Sequence, residues 1–152
     1  MNTQKIMENV EPTGKVHIQH FDANGNLKSE HHVKNLVVTT GKNYIASRMV
    51  GTATAVMTHM GIGTGSTTPA ASNTALGTQT GRVALSNGNG SASGNAITFT
   101  ATFPAGTGDG AITEAGIFNA SSGGTMLCRT TFPVVNKASG DTIAVTWIVT
   151  VS

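Results

Sequence analysis

The chain has 152 residues, a formal net charge of +2 and only 11% charged residues, where a typical soluble domain carries about 25%. This length suits one domain. So little charge excludes the basic stripe of a nucleic-acid binder and points to a surface that meets other subunits. A single cysteine excludes an internal disulfide framework, no apolar run reaches membrane-spanning length, and the polar start Asn2-Thr3-Gln4-Lys5 lacks a secretory signal, so synthesis in a cytoplasm is expected.

Met1 to Thr13 shows no periodicity and has too few apolar side chains for a core. It is expected to be an N-terminal arm, ordered only against a partner, with residues 14–152 forming a single β-sandwich domain. Lys15 to Phe21 and Leu27 to Val33 flank Asp22–Asn26, whose Asn24-Gly25 pair is a strong hairpin signal. A two-residue turn centred there pairs Val16 with Val33, Ile18 with His31, Gln19 with Glu30 and His17 with His32. It places Val16, Ile18, Leu27 and Val33 on one face. Thr40 to Val50, apolar at Tyr44, Ile45 and Met49, predicts a short amphipathic helix with Thr40 as N-cap and Gly51 as stop. Val56 to Ile62 alternates as a strand, Gly63 to Thr74 reads as a loop, and Arg82 to Leu85 as a short strand. Asn87 to Gly94 is a low-complexity turn.

Ile97, Phe99, Ala101 and Phe103 alternate with threonines, and Pro104 to Gly110 forms a Gly-rich loop. From Ala111 onward the chain reads as a meander of antiparallel strands, with Ser121–Gly124 and Asn136–Asp141 as turns. Its last strand sets Ile143, Val145, Trp147, Val149 and Val151 against Thr142, Ala144, Thr146, Ile148 and Thr150. About eight short strands with one helix indicate an all-β antiparallel sandwich, read as a jelly roll.

Three features invite a chemical reading. Gly61-Ile-Gly-Thr-Gly-Ser66 has the glycines of a phosphate loop, but Thr67-Thr68-Pro69 follows where a helix or Gly-Lys-Ser/Thr is needed, so it reads as a β-loop. Four of the five histidines (His17, His20, His31 and His32) fall in the first hairpin, and His17 faces His32 with Glu30 on the same face. Two imidazoles and a carboxylate fit Zn²⁺ or a pH-sensitive pair. Cross-strand histidines also occur on ordinary exposed faces, and a polar face without metal is the expectation. Glu114 lies in an apolar segment with no second carboxylate or nucleophile–His pair at a recognisable spacing. It is expected to be buried against backbone N–H groups or against Arg82 or Arg129. No catalytic residue, cofactor or metal site is assigned. Cys128 is read as a small buried apolar residue.

The segment Gly61–Gly77 (GIGTGSTTPAASNTALG), taken with the "ITEAGIFNA…GGTML.R..F..V.K..GD...VTW" strands after Ala111, resembles tailed-bacteriophage virion proteins of the capsid decoration, cement or tail-fibre kind. The resemblance covers about the C-terminal two-thirds of the chain. It implies a structural role in the particle, and the leading expectation is a capsid decoration (cement) protein. Such a protein would sit on the capsid outer surface, bound to the major capsid protein and to itself as a homotrimer, with no nucleic-acid or membrane partner. The alternative is a tail-fibre, baseplate or neck component. The absence of a shaft repeat in so short a chain favours the capsid. A carbohydrate-binding module is disfavoured because the one Trp falls on the core side of a strand.

Overall fold

A computed structural model of the chain describes residues 11–52 and 55–152. Nine strands and one helix follow in order: β1 Pro12–Phe21, β2 Leu27–Val37, α1 Thr39–Met49, β3 His59–Gly63, β4 Gln79–Ala84, β5 Ser91–Ser93, β6 Ala96–Phe103, β7 Gly110–Phe118, β8 Met126–Lys137 and β9 Thr142–Val151. All strand pairs are antiparallel, in the order β4-β3-β7-β8-β2-β1-β9-β6-β5. The expected all-β antiparallel fold with one short helix is therefore present. This strand order does not confirm a jelly-roll connectivity.

β2 explains the curl of the sheet. Its residues from Leu27 to Asn35, Lys28 excepted, pair with β1, while only Leu36 and Val37 reach β8. One strand thus hands the ladder from one half of the sheet to the other, and the halves face each other across a common core. Inward residues lie in rows across that core: Trp147 of β9 stands between Val16 of β1 and Phe99 of β6, and Val145 between Ile18 and Ala101. Trp147, Phe103, Ile18, Ile62, Ile112 and Ile117 are fully buried. The period-two pattern of β6 and β9 has the core on the side the sequence indicates. The far ends of the sheet approach each other where the Ser86 N–H donates to the Thr100 carbonyl (2.8 Å). The Asn87 side chain then bonds both the Thr98 carbonyl and the Thr100 N–H. An amide side chain thus continues the ladder where the backbone turns away, which reduces the open edge of β6.

The first hairpin has the predicted register but a different turn. Gly25 alone has positive φ (+81°), and the Asp22 carboxylate accepts from the Asn24 and Asn26 N–H groups. The loop is therefore Asp22–Asn26, longer than the predicted two-residue turn, and a register shift between His20 and Phe21, which skips Lys28, brings the remaining pairs into the expected register. Leu27, near the hairpin tip, is half exposed.

The helix begins two residues earlier than a Thr40 cap requires, and Thr40 is not its cap. Val38 holds that position, and the Thr40 hydroxyl donates to the Met126 carbonyl instead. Gly51 does end it, at φ +71°, with the Gly51 N–H on the Arg48 carbonyl and the Thr52 N–H on the Ser47 carbonyl. That pair of bonds is a Schellman closure. The arm expected over Met1–Thr13 lies mostly outside the described residues. Within its described part, Glu11 exchanges backbone bonds with Ser152, and Pro12 and Thr13 belong to β1.

Candidate functional site: a stapled loop and an exposed histidine face

On the outer side of β3, β7 and β8 the sequence supplies glycines where side chains would normally stand. Gly61 and Gly63 of β3 lie opposite Gly116 and Glu114 of β7. A methyl group at Gly61 or Gly116 would press on the Leu76 side chain, at 3.2 and 3.1 Å. The glycines therefore open a floor on which the 64–78 loop folds back, and Leu76 joins a small outer cluster with Val38, Phe118 and Met126. This second apolar cluster is separate from the central core, and periodicity gave no sign of it.

Glu114 fastens that loop. Its side chain is fully buried and accepts from the backbone N–H groups of Gly65 (3.0 Å), Thr78 (2.8 Å) and Gly77 (2.8 Å). Arg129 from β8 donates to it through Nε and Nη2, at 3.1 and 2.9 Å. The remaining reach of that guanidinium goes to the Thr67 carbonyl and the Asn73 side chain. Burial alone would raise the Glu114 carboxyl. The N–H groups of Thr78 and Gly77, the Arg129 guanidinium and the Gly65 N–H outweigh it and hold the group below the usual carboxylate range. Every strong acceptor direction is occupied by a fixed donor, so the carboxylate is a structural anion rather than a general base. The predicted choice between Arg82 and Arg129 falls to Arg129. Arg82 instead lies 3.6 Å over the Phe118 ring and donates to the Ala120 and Gly123 carbonyls, which secures the 119–125 loop.

Two further buried charges escaped the sequence reading. Lys137, with no side-chain exposure, donates to Asp109 (2.6 Å) and to the Pro104 carbonyl. His20 meets Asp141 at 2.7 Å, and Asp141 also accepts from Lys28 and from the Ala138 N–H. The Ala138 N–H, His20 and Lys28 together pull the Asp141 carboxyl down to about 2. In both cases the partners are distant in sequence. Only the small-residue turns at Asp109 and at Gly140-Asp141 hinted that a loop carboxylate would be drawn inward.

The histidine face forms as the register predicts. The His17 and His32 rings stack in parallel, 4.1 Å between centroids and 10° between planes, and Glu30 lies 2.9 Å from His17 Nε2. That contact lowers the Glu30 carboxyl from its ordinary value. Beside α1, an apolar cavity of about 450 Å³ is lined by Ile45, Met49, Met57, Phe99, Leu127 and Val151. Met49 and Val50 stand exposed at the helix end. Cys128 is buried, and burial pushes its thiol well above the ordinary value, which fits an inert packing residue.

No curated protein and no solved structure matches the chain. A family model does: that of the phage tail-collar fibre protein, N-terminal, over residues 30–152. The match runs from within β2 to the end of β9 and takes in the glycine floor, Glu114 and Arg129. It overturns the expectation of a capsid decoration protein on the head and favours the tail-fibre alternative. A Thr- and Gly-rich β-fold is common to both kinds of part, so shortness and the lack of a shaft repeat could not separate them. The chain belongs to the phage tail-collar fibre family and is a structural protein of the tailed-phage virion.

Proposed function

We propose that this chain is a tail-fibre component that works by rigid protein–protein contact, holding a fibre in place on the tail. The observation that carries the reading is the family match over residues 30–152. The buried Glu114–Arg129 staple supports it, because it converts a loop rich in Gly, Ser and Thr into a fixed surface. A contact surface needs little catalytic apparatus but must lose little conformational entropy on docking, and a pre-ordered loop meets that need. Partners are other virion proteins. The sparse charge and the exposed Met49 and Val50 also support association with copies of itself, and a closed cyclic oligomer such as a trimer suits a fibre. Gold-labelled antibody against the protein on intact particles tests the location: label should gather at the tail in few copies per particle. Label spread over the head would overturn the reading.

A further inference from the structure

We propose that His17, His32 and Glu30 form a binding site for a divalent transition metal of the Zn²⁺ type on the outer face of the first hairpin. One imidazole nitrogen from each histidine and one carboxylate oxygen lie within 4.8 Å of one another. Tetrahedral coordination at the usual Zn–N and Zn–O lengths sets donor atoms about 3.4 Å apart. The three side chains have to draw together by up to about 1.4 Å to reach that spacing. The parallel rings help, because stacked imidazoles directly opposite across two strands turn their edges the same way.

The backbone beneath is already fixed. His17 is paired on one side with His32 and on the other with Thr146 of β9, so β1 is an interior strand there. Two histidines and one glutamate are a donor set well suited to Zn²⁺, and an exposed site leaves a fourth position for water. The groups facing the cluster on this side of the sheet include Lys15 and Lys34, each two residues along its strand, Gln19 opposite Glu30, and Ala144, Thr146 and Ile148 from β9. The two ammonium groups oppose a cation, Glu30 offsets part of that repulsion, and no other carboxylate faces the site from these strands. His20 is committed to Asp141, and His59, at the start of β3, meets the hydroxyl of the preceding Thr58.

The test titrates the full chain with zinc chloride near pH 7.5 by calorimetry and repeats the titration on His17→Gln, His32→Gln, Glu30→Gln and His59→Gln. All four positions are at least partly exposed, and circular dichroism checks that each variant keeps its fold. One Zn²⁺ per chain is expected. Each of the first three changes should weaken binding at least about tenfold, since loss of an outer-sphere partner alone commonly costs that much. His59→Gln should bind as the parent does. Absence of binding overturns the site, and so does undiminished binding in any of the first three variants or lost binding in His59→Gln. Ring-nitrogen NMR shifts on adding zinc should move at His17 and His32 and leave His59 in place.

Discussion

Glu114 keeps its charge in a place where an unpaired carboxylate would be driven to protonate, because five donor contacts converge on its two oxygens. Removing one member of such a buried pair leaves the other stranded, which costs about 3–5 kcal/mol. Glu114→Ala should lose that much stability in urea unfolding. The double change Glu114→Leu with Arg129→Met should recover only part of it, since the Gly65, Gly77 and Thr78 N–H groups would still lack an acceptor. Full recovery would mean that the staple is an ion pair and nothing more. Asp141 gives a pH signature. Its carboxyl is depressed to about 2 in the folded chain against an ordinary value near 3.9. Its contribution is therefore complete above about pH 4 and disappears as pH falls through about 2. Below about pH 4 the difference in stability between the parent and Asp141→Asn should shrink as pH falls toward 2. A difference that stays level down to pH 2 would show that His20 and Lys28 do not hold the carboxylate.

The helix and the hairpin show how far element-level signals reach. Gly41 is the buried residue of α1, and a methyl group there would overlap the Leu127 carbonyl of β8. The helix thus lies directly on the strand backbone, and a side chain at that point must lift it. Overpacking of this kind costs about 1–3 kcal/mol, so Gly41→Ala should lower the urea midpoint, although alanine is the better helix former in isolation. An unchanged or raised midpoint would show that the helix has room to shift. The sequence carries the hairpin register because the polar and apolar faces of β1 and β2 leave only one pairing that buries Val16 and Ile18. It also carries the inward sides of β6 and β9, because the alternation is long. Two things were not legible. Ser91–Ser93 form a strand only because β6 offers them an edge, and nothing in a run of Ser, Ala and Gly announces that. The 64–78 loop owes its order to Glu114, 36 to 49 positions away along the chain. Local reading assigned the loop and the carboxylate correctly as separate features without joining them.

At the scale of the whole molecule, a curled sheet with its charges either buried in pairs or thinly spread presents a surface suited to contact with other proteins. Such a fold serves many positions in a virion. Which position it takes depends on the shape of a partner surface that one chain does not contain, and for that reason the head and the tail looked alike from the sequence. The two locations separate sharply in the behaviour of the particle. A protein that binds the shell lattice stabilises that lattice by mass action, so its loss weakens the head against heat and osmotic shock. A tail-fibre component contributes nothing to that balance. On the proposed tail role, particles made without this chain should fill with DNA and retain it under heating and osmotic shock as well as complete particles do. They should fall short in attaching to cells, since fewer fibres remain engaged and the gain from multiple simultaneous contacts is lost. Genome-retention and adsorption assays on the same particle preparation measure both effects together. Early release of DNA with normal adsorption would place the protein back on the head.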